Sequence, residues 1–280
     1  GPAGSTTCTD APRRAQAQAT DRPKIPAPLT VTSTIAIPRQ LAQCLRDFTP
    51  PLAGRTVPDQ NAQITWREGQ VPVSTQFDDP YFSLEDGAAE TAYVFLAGND
   101  LPERFRPGFH IAELGFGTGL NLLLAWDAWM RAGHDGPLHF TSFEAYPMRP
   151  EDMAQAHAAF PALDGRRDAL TAAWDGAGGV LELPGLRAEI IIGDARETLP
   201  AWQGQADAWF LDGFSPAKNP QLWGDDLMAE VARHTAPGGS AATYTAAGFV
   251  RRALAAGGFE VSRIPGYGRK RHMTRARMPA

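Results

Sequence analysis

From Ile64 onward, short apolar runs alternate with stretches of helical period, and Gly, Pro or an acid separates them. Ile111 to Leu114 runs into a glycine-rich turn and then LNLLLAWDAW, which predicts a strand, a tight turn and a helix. Leu138 to Phe143 reads as a strand ending at Glu144, and Pro150 to Phe160 as a helix. Glu189 to Ile192 is a strand ending at Gly193-Asp194. Ala208 to Leu211 ends at Asp212-Gly213 and leads to a helix from about Gln221 to His234. Pro237-Gly238-Gly239 turns into the strand Ser240 to Tyr244, then helix Gly248 to Ala256 and strand Phe259 to Ile264. An extended piece near Arg271 to Arg275, after a GYG turn, is expected as an antiparallel insertion. Such alternation predicts an α/β domain, doubly wound, with a mostly parallel sheet and helices on both faces.

Upstream the texture differs. ITWREGQVPVSTQF alternates at Val71, Val73 and Thr75 and is broken by Gly69 and Pro72, which predicts a short hairpin or edge strands. A helix is expected from near Asp86 to Glu90, carrying Tyr93, Val94, Phe95 and Leu96 and closing over whatever the first core strand binds. Residues 1–60 are rich in Pro, Ala, Thr and Gln, with one helix-like segment, Ile37 to Phe48. They are expected to form an extended or poorly ordered lead, and 61–280 the folded domain.

The turn itself reads Glu113, Leu114, Gly115, Phe116, Gly117, Thr118, Gly119. Glycines there open backbone conformations closed to other residues and let a ligand approach the main chain. A dinucleotide fingerprint would be G-x-G-x-x-G, whereas this is G-x-G-x-G with an acid two positions ahead. The arrangement resembles motif I of the S-adenosylmethionine-dependent methyltransferases. A turn that merely closes a βα unit is the plainer alternative, and three glycines plus the acid weigh against it.

In open α/β sheets ligands bind at the carboxyl ends of strands, where this chain carries Glu113, Glu144, Asp194 and Asp212. Glu144, 29 positions after Gly115, suits the ribose hydroxyls. Asp194 suits the adenine amine, and Glu113 the glycine loop or the methionine amino group. Each is otherwise a helix cap or a solvated loop residue. The loop LDGFSPAKNPQLW after Asp212 is stiffened by Pro216 and Pro220, as a loop that holds a reacting group needs to be.

Composition adds little: 43% hydrophobic and 20% charged residues describe an ordinary folded chain. No apolar run approaches the roughly 18 residues of a membrane span, and GPAGSTTCTDAPRRAQ lacks a signal-peptide core. A cytoplasmic protein without membrane contact is expected. Cys8 and Cys44 have no ligand spacing and read as free thiols, so no metal is expected. Charge adds more. Phe249 to Ala280 holds eight Arg or Lys against one acid, while the net charge is −5, so a basic end follows an acidic body. Such a cluster fits a polyanion or a solvated tail.

ITWREGQVPVSTQFDDPYFS, TAYVFLAGNDLPERF, ELGFGTGLN, FLDGFSPAKNPQLW and YTAAGFVRRALAAGGFEV with GYGRKRHM together resemble the MnmD-type tRNA methyltransferases, equivalent to the methyltransferase half of bifunctional MnmC. The likeness runs from about Ile64 to Met273; His272 stands where the pattern has Glu, and residues 1–60 match nothing in it. It implies a Rossmann-like class I methyltransferase fold with a seven-stranded sheet, and S-adenosylmethionine as cofactor. It also implies methyl transfer to the primary amine of 5-aminomethyl-(2-thio)uridine at the tRNA wobble position. The sequence offers no room for the FAD-dependent half, so a separate protein is expected to supply the aminomethyl substrate.

On this reading Gly115, Phe116, Gly117, Thr118 and Gly119 cradle the cofactor. Asp212 orients the amine, since a carboxylate of pKa about 3.9 is a poor base for an alkylammonium. Phe214 or Tyr244 stacks on the uracil, and Lys218 touches phosphate or positions the loop. Arg251, Arg252, Arg269, Lys270 and Arg271 contact phosphates of the anticodon arm. Two other readings share these residues: a methyl- or aminopropyltransferase acting on a free small amine, and a noncatalytic RNA-binding protein with a cofactor fold.

Overall fold

The computed structural model describes residues 61–68, 70–83 and 86–280. Cys8, Cys44 and the helix expected over Ile37 to Phe48 lie outside the described residues.

The chain enters through a small antiparallel sheet, as the broken alternation predicts: β1 (Ile64–Arg67), β2 (Val71–Ser74) and β3 (Asp79–Pro80). The helix expected next divides into three. Asp86 accepts from Ala89 N at 2.8 Å and caps α1 (Gly87–Thr91), which passes into a π-helical turn, Ala92–Leu96, and a 3₁₀ turn, Ala97–Asn99.

The central sheet then begins with β4 (His110–Leu114), α2 (Leu120–Ala132) and β5 (Leu138–Glu144). Next come α3 (Pro150–His157), α4 (Asp164–Ala173), β6 (Gly179–Leu183), β7 (Leu186–Ile192) and α5 (Ala195–Ala201). The remainder is β8 (Ala206–Leu211), α6 (Asp225–Arg233), β9 (Thr235–Thr243), α7 (Gly248–Ala256), β10 (Glu260–Pro265) and β11 (His272–Arg277).

These strands lie in the order β10-β11-β9-β8-β4-β5-β7-β6. The inner five are parallel, and β11 is inserted antiparallel between β9 and β10, as the GYG turn suggested. Beyond the seven strands expected, β6 adds an eighth, paired antiparallel with β7.

Period-two alternation divides the core. Ile111, Phe140 and Phe210 face α2, α3 and α4, whereas Leu114, Trp209 and Leu211 face α5, α6 and α7. Helix α2 is apolar nearly all round, with Leu122, Leu123 and Trp129 fully buried, so its exit must be sharp. Gly133, at φ 71°, supplies it, and its N–H closes on the Trp129 carbonyl. Both neighbours of β4, namely β5 and β8, lead back into helices on opposite faces, so the crevice for a ligand opens at the carboxyl ends of β4 and β8. Among the described residues no helix is long and apolar enough to cross a membrane.

Candidate active site

That crevice is a cavity of ≈ 650 Å³, a size suited to a small-molecule ligand. Its floor is the glycine turn. Gly115, Gly117 and Gly119 have φ of 85°, 55° and 73°, conformations that side chains resist. At Gly115 the reason is also spatial: a Cβ would stand 3.2 Å from Gly213 Cα, where the turns after β4 and β8 touch.

Two buried acids lie near this turn, and one of them binds it. Glu144 accepts from Gly117 N at 2.8 Å and Tyr146 N at 2.7 Å, and burial raises its pKa. Each carboxylate oxygen keeps a lone pair for a ligand. Glu113 lies deeper, fully buried and outside the cavity lining, and accepts from Asn121 Nδ2 at 2.8 Å and Ser142 Oγ at 2.7 Å. Its burial pushes its pKa well above the ordinary range. Its carboxyl group meets Asn121 and Ser142 rather than the cavity.

Asp194 lines the cavity and also caps α5, accepting from Arg196 N at 2.9 Å. The Arg196 side chain binds the same carboxylate, with Nε 3.0 Å from each oxygen, and this contact lowers its pKa.

Asp212 is half-buried at the opposite end of the floor. Its Oδ2 accepts from Asn121 Nδ2 at 2.8 Å, and burial pushes its pKa up to about 6. Tyr244 Oη donates to Gly213 O at 2.7 Å, and Lys270 Nζ sits 4.3 Å above the Tyr244 ring while pairing with Glu90 at 2.7 Å. One face of Tyr244 is therefore already covered. Phe214 stacks on Phe77 with centroids 4.7 Å apart and meets Tyr81 edge-on at 5.1 Å.

Of the residues singled out in the sequence, Gly115, Phe116, Gly117, Thr118, Glu144, Asp194, Asp212, Phe214, Tyr244, Arg269 and Lys270 line this one cavity. Gly119 lies behind it, against Phe116 and Leu170. Lys218 stands outside the lining, on the Asp78 carbonyl and 3.5 Å from Asp79 Oδ1, so it ties β3 to the loop after β8. Arg251, Arg252 and Arg271 also lie outside the lining; Arg252 and Arg271 are exposed, and Arg251 is half-buried. Asn121, Glu90, Tyr146 and Arg196 were not singled out. For Asn121 a signal existed: one polar residue inside the apolar run LNLLL. Among the described residues no cluster of three or more His, Cys, Asp or Glu is placed to hold a metal.

A glycine turn at the switch point of a doubly wound sheet, with an acid at the end of the next strand, is a nucleotide-cofactor site of the kind class I methyltransferases carry. A family model described as S-adenosyl-L-methionine-dependent methyltransferase matches residues 172–279, and the chain is similar to the methyltransferase half of MnmC. It is 46% identical over 230 residues to the tRNA 5-methylaminomethyl-2-thiouridine biosynthesis bifunctional protein MnmC of Caulobacter vibrioides, covering 79% of this chain and 39% of that one. The protein of the same name from Chromobacterium violaceum is also 46% identical, over 76% of this chain and 34% of its own. The chain thus spans little more than a third of the length of these relatives. The crystal structure of MNMC2 from Aquifex aeolicus superposes with a TM-score of 0.61 at 25% identity, covering 88% of this chain and 80% of that one.

Proposed function

We propose that this chain methylates the primary amine of 5-aminomethyl-(2-thio)uridine at the wobble position of tRNA. The observation that carries the reading is Asp212. It is a carboxylate on the floor of the cofactor crevice, held by Asn121 Nδ2 and by the Gly213 backbone, and it lines the cavity. The relatives, whose names concern 5-methylaminomethyl-2-thiouridine in tRNA, supply the substrate class.

S-adenosyl-L-methionine, when bound, supplies an electrophilic methyl group. The residues present fit it: a Cβ at Gly117 would project to within 3.1 Å of Tyr81, so only glycine leaves that side of the cradle open. Glu144 would accept from the ribose hydroxyls, and Asp194, once Arg196 moves aside, from the adenine amine.

At the other end, Asp212 accepts an N–H of the substrate amine and aims its lone pair; alignment of this kind is the larger part of the catalysis. The amine must arrive neutral and Asp212 charged, so two protons are lost before transfer. Phe214, with Phe77 behind it, offers the uracil a stacking face. Lys218 acts by holding the loop. Arg251, Arg252, Arg269, Lys270 and Arg271 would bind phosphates. The reading includes an earlier step that uncovers the amine, because methylation requires it already free.

The test is transfer of labelled methyl from S-adenosyl-L-methionine to tRNA from cells lacking this activity. Wild type should label the wobble uridine, and Asp212→Ala should lose about 100-fold or more in rate while still binding the cofactor. Labelling of the free nucleoside as fast as tRNA would overturn the substrate assignment.

A further inference from the structure

Asparagine is a poor choice in the first turn of a helix whose other residues there are leucines. Asn121, the second residue of α2, is nonetheless 5% exposed, and a buried amide requires partners. Helical side chains lean toward the helix N-terminus. That carries the Asn121 amide back over the glycine turn, to the ends of β4 and β8. There its Nδ2 stands 2.8 Å from Glu113 Oε1 and 2.8 Å from Asp212 Oδ2. An NH₂ group has two hydrogens, and both are used.

We propose that Asn121 is a positioning residue: held in register by Glu113, it clamps one oxygen of Asp212 and turns the other toward the substrate amine. The proposal rests on the reading of Asp212 given above. Ser142 completes the chain from behind, donating to Glu113 Oε2 at 2.7 Å, so that Ser142, Glu113, Asn121 and Asp212 link β5, β4, α2 and β8.

The clamp also governs when Asp212 is charged. Burial raises its pKa, and the Asn121 N–H is the foremost of the contacts that oppose the rise. The other charged or titratable groups around it are Glu113 on β4, Glu90 on α1, Lys270 before β11 and Tyr244 after β9. Loss of the donor therefore moves the titration of Asp212 upward.

Asn121→Ala and Ser142→Ala each remove one hydrogen bond from Glu113, but only the first touches Asp212. Two readouts separate the roles: the carboxyl ¹³C titration of Asp212 in the full chain, and the pH profile of kcat/KM for methyl transfer to tRNA. Asn121→Ala is expected to raise the Asp212 midpoint by about one pH unit. It should also lower kcat about tenfold, with the affinity for S-adenosyl-L-methionine held within a few fold. Ser142→Ala is expected to leave the midpoint where wild type has it. Asn121→Ser, with one O–H for two carboxylates, serves the same test if the alanine variant does not fold. A folded Asn121 variant whose Asp212 midpoint is unmoved, or moved no more than in Ser142→Ala, overturns the proposal. Because the ¹³C titration needs no substrate, a wild type that fails to methylate tRNA refutes the substrate reading and leaves the clamp to be judged separately. A shifted midpoint with unchanged kcat overturns the positioning role.

Discussion

Asp212 illustrates how a single side chain trades stability for use. Its folded pKa of about 6 lies above the ordinary 3.8 because it is buried, so ionisation favours the unfolded chain. The stability that its neutral form contributes is complete below the unfolded value and is lost as pH rises through about 6. Asp212→Asn should therefore melt several degrees above wild type at pH 8 and level with it at pH 4, as calorimetry at the two pH values would show. Activity runs the other way. With the amine already limiting at slope one, the logarithm of kcat/KM should steepen toward slope two as pH falls through about 6; a single slope from pH 8 to 5 would deny Asp212 its role. Among residues, the strand-end acids were legible because strands announce their ends with a change from apolar to charged. Asn121 showed only as a polar residue inside LNLLL; its partners, 8 and 91 positions away, did not show at all.

The glycine turn is an element whose backbone does the work. Gly115→Ala forces a Cβ to within 3.2 and 3.3 Å of the Gly213 backbone at φ 85°, and neither atom yields as a flexible side-chain tip would. A cost of about 1–3 kcal/mol and loss of cofactor binding are expected by denaturant titration and calorimetry. Gly133→Ala, at φ 71° with nothing within 4 Å of the new Cβ, should cost about 1 kcal/mol and leave cofactor affinity intact. Most of the parallel strands were readable as apolar runs, and α7 was read with its observed bounds. Residues 161–188 were not. Helix α4 (DGRRDALTAA) carries few large apolar side chains, and β6 is exposed at both of its first two positions, so periodicity is faint. The hairpin signal was the Pro184-Gly185 pair between Leu183 and Leu186, with Gly185 at φ 73°. The helix expected after Asp86 was located correctly, but its change to π and 3₁₀ turns follows from packing against β9 and α2, which no local pattern encodes.

For the whole molecule, the basic end and the acidic body make affinity for tRNA a matter of ionic strength. If three to five of Arg251, Arg252, Arg269, Lys270 and Arg271 meet phosphate, the logarithm of the association constant should fall against that of salt with a slope of about −2 to −4. Arg251→Glu with Arg252→Glu should flatten that slope while binding of S-adenosyl-L-methionine is unchanged; a slope near zero in wild type would remove the phosphate assignment. Charge counting exposed this asymmetry but could not show that Lys270 is already engaged by Glu90 and must exchange that partner for any phosphate it binds. The inserted strand has a further consequence. Because β11 lies between β9 and β10 and bonds to both, β10 has no neighbour in the sheet until β11 has left the ribosome. The parallel strands can pair during synthesis, whereas Tyr267 to Lys270, which wall the cavity near Asp212, take their places only when β11 slots in. A nascent chain stalled before His272 would thus carry the glycine turn and the four strand-end acids yet lack one wall of its site, so competence to bind waits for β11 and arrives all at once.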